Sequence, residues 1–120
     1  MTHGRELLIH AYSREQAIAD GVLVDISKTA REAGFVFPVA VTCGVWAECV
    51  CGQDEAGRLR DLLVTLRLAI RQAGDGHRVD FSVRVRSDDS PELPSVRLYA
   101  VCGPGDDGEP VVTIMLPHED

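Results

Sequence analysis

Between residues 74 and 76 the apolar period of this sequence changes from 3.6 to 2, and the change limits the fold more than any other feature. Before it, Leu59, Leu62, Leu63, Leu66, Ala69, Ile70 and Ala73 keep i, i+3, i+4, i+7 spacing without a break. Such spacing predicts a long helix with one apolar stripe. Asp54 is placed to cap it, Glu55 sits in the first turn where the helix dipole favours an acid, and Gly74 ends it. After the switch, Val79, Phe81, Val83 and Val85 alternate with Asp80, Ser82, Arg84 and Arg86, as in a half-buried strand. Each element has one apolar side, and the two sides must be buried together.

The C-terminal stretch adds two more strands. Val96, Leu98, Ala100 and Cys102 share one face, and Arg97, Tyr99 and Val101 the other; Val112, Ile114 and Leu116 alternate with Val111, Thr113 and Met115. Between them Gly103-Pro104-Gly105-Asp106-Asp107-Gly108-Glu109-Pro110 is turn chemistry. A link with Pro91 and Pro94 joins this hairpin to the preceding strand, and short links between successive strands favour an antiparallel meander.

Upstream, Ser13 and Gln16 have capping-box spacing for a short helix that Asp20-Gly21 ends. Val22–Ile26 reads as a strand or connector, and Ser27 as the cap of a helix over Lys28–Ala33 that stops at Gly34. Phe35-Val36-Phe37-Pro38-Val39-Ala40-Val41 reads as extended and largely buried, with Pro38 arguing against a central strand. Thr42 is then the N-cap of a helix carrying Val45, Trp46, Cys49 and Val50, under which Val64 and Leu68 of the long helix are expected to pack. The expected fold is one α+β domain over residues 1–120. It has a three-stranded antiparallel sheet, extendable to four or five strands by Val22–Ile26 or Leu7–Ile9, with the long helix and short N-terminal helices on one face. At 120 residues the chain is long enough to bury a core without disulfide staples.

Charge narrows the choice of partners. The net charge is −7, and residues 87–120 hold one basic side chain, Arg97, against eight acidic ones. Residues 58–86 carry seven basic and three acidic side chains. A nucleic-acid binder draws most of its affinity from neutralised phosphates, so this balance weighs against one and favours a partner with a basic surface. The acids that would meet it are Asp88, Asp89, Asp106, Asp107 and Glu109, with Glu119-Asp120 behind them. The open face of the sheet would present Arg84, Arg86, Arg97 and Tyr99. Those residues suit a protein contact, a second copy of the chain, or, as the alternative reading, a small nucleic-acid-binding factor. No apolar run is long enough to span a bilayer and the start lacks the order of a secretory signal, so a cytoplasmic location is expected.

Catalytic and metal sites are not expected. Cys43, Cys49 and Cys51 are spaced C-x5-C-x-C, unlike the close pairs of structural zinc sites, and His3, His10, His77, His118 and Cys102 are scattered. Cys43, just after Thr42, is the sole thiol placed where a helix start lowers a thiol pKa. Residues 103–108 are rich in glycine but lack the order of a phosphate-binding loop, and their acids repel anions. No cofactor is expected.

Several segments together resemble one family: Ala11–Asp25, Ala33–Thr42, Val45-Trp46 and the closing Cys102–Pro117. It is a family of small uncharacterised bacterial proteins carried on plasmids, phages and other mobile elements. The resemblance implies no activity and no functional residue. It implies a context in which small accessory proteins act on host defence, transfer or replication. The expectation is a non-catalytic interaction protein that modulates a host protein, such as a defence nuclease or a nucleic-acid machine.

Overall fold

The computed structural model describes residues 13–52, 54–74, 76–85 and 95–119. Their elements are α1 (Arg14–Ala19), β1 (Leu23–Asp25), α2 (Ser27–Glu32), β2 (Val39–Thr42), α3 (Cys43–Val45, continuing as a π-turn over Trp46–Val50), α4 (Glu55–Ala73), β3 (Arg78–Arg84), β4 (Ser95–Pro104) and β5 (Pro110–Met115). Leu7–Ile9 lies outside the described residues.

The five strands form one sheet in the order β1-β2-β5-β4-β3. The meander β3-β4-β5 is antiparallel throughout, and β1 is antiparallel to β2. The sheet is nevertheless mixed, not wholly antiparallel, because β2 runs parallel to β5. All four residues of β2 are buried, and a strand apolar on both faces suits an interior position. Pro38 does not exclude β2 from the middle of the sheet. It stands just before the strand, where its missing N–H is not needed, and its carbonyl accepts from the Val112 N–H at 2.9 Å. The preceding residues are less buried than expected: Val36 is 82% and Phe37 42% exposed.

The α4 stripe is buried as its period requires, with Leu62, Leu63 and Leu66 at most 1% exposed. It shares one apolar cluster with Phe81, Val83, Leu98, Ala100, Val112 and Ile114 from the sheet. Val64 and Leu68 do not pack under α3, being 48% and 55% exposed. They lie on the side of α4 away from the stripe, where neighbours three or four apart share a face.

The helix caps follow the expected residues in part. Ser13 Oγ accepts from Gln16 N–H, but the Gln16 side chain turns to Asp20 and does not close the box. Ser27 is the first residue of α2, not its cap. Its hydroxyl donates to Asp25 at 2.6 Å and accepts from the Val39 N–H at 3.0 Å, tying α2 to β2. Thr42 caps α3 as expected, yet the helix widens at once: the Cys51 N–H reaches back five residues to the Trp46 carbonyl. Asp54 caps α4 from the left-handed region (φ 56°), a conformation Asp tolerates better than most residues. Its carboxylate bonds Gly57 N–H, and a Cβ on Gly57 would lie 2.3 Å from a carboxylate oxygen. Gly57 is therefore the space into which the cap folds.

Candidate functional site

The β4-β5 hairpin carries part of an apolar groove on its α4 face and an acidic turn at its tip, which packs against α1 on the other face. The Cys102↔Val112 pair of the β4-β5 ladder forms part of the groove floor, and two rungs further on Pro104 faces Pro110 before the tip begins. The groove, of about 300 Å³, is walled by Phe35, Phe37, Ile70 and Val79, with Arg67 and His77 also in its lining. Arg67 is anchored through a 2.9 Å bond from Nη1 to the Ala33 carbonyl. A concave apolar site with a few polar groups is the ordinary form of a binding pocket. Neither Phe35–Phe37 nor His77 stands out in sequence as a site. The apolar run Phe35–Val41 reads in sequence as a largely buried segment, not as the wall of a groove.

The hairpin tip has a structural task as well as a charge. Asp106 accepts from the Arg14 and Glu15 backbone N–H groups at 2.8 and 3.0 Å, so it closes the N-terminus of α1 from across the chain. Those two bonds, helped by the Arg14 charge, hold its carboxyl below the usual aspartate range. Arg14 itself crosses to β5, donating to Thr113 Oγ1 at 2.7 Å and to the Val112 carbonyl at 3.0 Å. Its half-burial lowers its pKa, and Asp25, Asp106 and Glu109 oppose that effect. Glu109 accepts from the Asp107 N–H at 3.0 Å, and both residues are exposed. Gly108 alone in the tip takes a positive φ, 84°. Of the three acids, Asp106 is committed to the fold, Glu109 bends back over Gly105 to close the turn, and Asp107 is exposed.

The remaining candidates are dispersed. Arg84 and Arg97 are exposed on β3 and β4. Arg84 borders a second cleft, of about 370 Å³, with Arg58, Arg60, Asp54 and Asp61. Tyr99 is not an open stacking platform. It is 3% exposed, with the Arg78 guanidinium 3.9 Å above its ring and its hydroxyl donating to the Glu119 carbonyl. Glu119 also accepts from Thr42 Oγ1 and the Leu116 N–H, so the C-terminal turn is fastened to the start of α3. Arg86, Asp88 and Asp89 lie outside the described residues. Cys43 and Cys51 are exposed, Cys102 is half-buried and Cys49 is buried. Desolvation, with a smaller push from Glu48, raises the Cys49 thiol to about 11, opposite to what a nucleophile needs. Among the described residues, no three His, Cys, Asp or Glu side chains stand close enough together to hold a metal ion. No helix among them is long and apolar enough to cross a membrane.

A family pattern matches residues 3–120. The chain belongs to DUF6573, a family of unknown function. No curated protein and no solved structure matches it. Membership in DUF6573 agrees with the resemblance to an uncharacterised family and assigns no role to any residue discussed above.

Proposed function

We propose that this DUF6573 protein is a non-catalytic interaction protein whose groove and acidic turn together take a basic segment of another protein, with one apolar side chain of that segment in the groove. The reading rests on the two features sharing the β4-β5 hairpin. Val36, 82% exposed, and Phe37 border an apolar groove, and Asp107 and Glu109 are exposed in the turn that follows the groove floor along the hairpin. Apolar surface rimmed by charge is the usual composition of a partner site, with the apolar centre supplying affinity and the charges supplying orientation and association rate. A partner with a basic surface is what a nucleic-acid-handling protein offers. The reading therefore extends to a host defence nuclease or nucleic-acid machine in the cytoplasm, modulated by an accessory protein of a mobile element. That extension is supported by the segments quoted above and by the −7 charge.

Passing host lysate over immobilised wild type, Val36→Asp and Asp107→Ser/Glu109→Ser, in low and moderate salt, tests it. The expected result is a protein retained by wild type, released by both variants and held less well as salt rises. Recovery of no such protein at either salt, or retention indifferent to both variants, refutes the reading. The alternative role in nucleic-acid binding predicts a gel shift at low salt that Arg84→Ser and Arg97→Ser reduce. The cover over Tyr99 counts against that role.

A further inference from the structure

The two edges of the sheet are unlike. β1 spans three residues, whereas β3 spans seven in unbroken register with β4. Short strands, prolines, lysines and bulges are the usual devices that keep an edge from pairing. β3, Arg-Val-Asp-Phe-Ser-Val-Arg, is long, unbulged and free of proline and lysine, and its charges, Arg78, Asp80 and Arg84, are of mixed sign and so can pair across a two-fold axis. Its outward backbone groups can be assigned. The Cys102 N–H donates to the His77 carbonyl at 2.8 Å, so position 77 faces β4, and alternation turns 79, 81 and 83 the same way. The N–H and C=O of Asp80, Ser82 and Arg84 therefore point away from β4, and no described residue pairs with them along a further strand.

We propose that β3 pairs antiparallel with β3 of a second copy of this chain, about a two-fold axis at Ser82, giving one continuous ten-stranded sheet. The sequence of the strand selects the register. A two-fold contact is self-complementary, so the choice of axis fixes every cross-strand neighbour. An axis at Phe81 sets Arg78 opposite Arg84 twice, and one at Asp80 sets the two aspartates against each other; like charges directly opposite are unfavourable. With the axis at Ser82, each Asp80 meets the other copy's Arg84. On the α4 face Phe81 meets Val83, so within the strand charge faces charge and apolar faces apolar. Arg78 falls opposite Arg86, two positions beyond the end of the strand, so this like-charge meeting lies outside the ladder, whereas the Phe81 axis puts one inside it. Asp80 can take the new partner while keeping the old one. Arg78 Nε and Nη2 both address Oδ1, at 3.4 and 3.1 Å, and no described donor is on Oδ2. The pairing also gives the exposed Arg84 a carboxylate on a face otherwise rich in arginine. This inference is independent of the groove reading, since either could hold without the other.

Sedimentation velocity of the full chain from micromolar to hundreds of micromolar protein reads it directly. Wild type is expected to move from 13.0 kDa toward twice that mass. Asp80→Arg alone and Arg84→Asp alone should each weaken association about tenfold or more, as expected for an opposed like-charge pair. The double exchange should return the association constant to near the wild-type value. Ser82→Pro should abolish dimer, because it removes an outward N–H that no described strand uses. Circular dichroism of each variant separates lost pairing from lost fold. A wild type that stays monomeric over the whole range overturns the proposal. So does a dimer indifferent to both single exchanges, or a double exchange that fails to restore pairing.

Discussion

Replacing Arg14 with alanine removes a side chain that hydrogen-bonds α1 to the central strand. The guanidinium makes two bonds, at 2.7 Å to Thr113 Oγ1 and 3.0 Å to the Val112 carbonyl. A buried bond from a charged donor contributes about 1.5–3 kcal/mol. Half-exposure, screening and water that can replace the lost partner bring the pair down to about 1–2 kcal/mol in total. At this chain length one kcal/mol moves the melting temperature by roughly 4 °C, so the expected loss is about 4–8 °C. Thr113→Val removes one acceptor at nearly constant volume and should give about half of that loss. Urea denaturation gives the free energies, and amide exchange of Ala17 to Asp20 reports locally on α1. Acceleration of those amides beyond any global change is expected, because Asp106 holds the helix start only while α1 lies against the hairpin. Arg14→Ala with an unchanged melting temperature and unchanged exchange would mean that the guanidinium is merely resting on β5.

Three further outcomes concern other parts of the fold. Gly57→Ala should leave stability within about 0.5 kcal/mol of wild type, since the roughly 1 kcal/mol gained in helix propensity is offset by eviction of the Asp54 cap. In an Asp54→Gly background the same change should stabilise by the full ~1 kcal/mol, so urea melts of the four proteins that show simple additivity would refute the coupling. The Asp106 carboxyl is depressed in the folded state. Its contribution is therefore complete above the unfolded-state pKa of about 3.9 and disappears as pH falls through the lower folded value. Asp106→Asn should flatten the acid limb of a stability-pH curve below about pH 4 and leave the slope between pH 6 and 8 unchanged. Alkylation at pH 8 should modify Cys43 and Cys51 fast, Cys102 more slowly and Cys49 at the rate of unfolding, as mass spectrometry of digests can establish; rapid native modification of Cys49 would contradict its burial.

Period and turn residues determined the local elements of this protein. The α4 stripe, the alternation in β3, β4 and β5 and the Thr42 and Asp54 caps can all be read in the chain. Each depends on residues at most four or five positions apart, where backbone geometry dictates which side chains share a face. Tertiary structure decided what lies opposite those faces. The parallel pairing of β2 with β5 joins segments more than seventy residues apart. Nothing local distinguishes it from an antiparallel continuation. Asp106 looks like a surface acid and acts as the cap of a helix some ninety residues away. Tyr99 alternates outward with Arg97, yet Arg78 from the neighbouring strand and the C-terminal turn cover it. In each case the deciding energy is that of a pair whose members are distant in the chain, and only folding brings them together. The same holds for the period switch near Gly74-Asp75-Gly76. The switch required a helix and a strand to bury their apolar sides together, and the assembled sheet left Phe37, Ile70 and Val79 around an open groove at that junction.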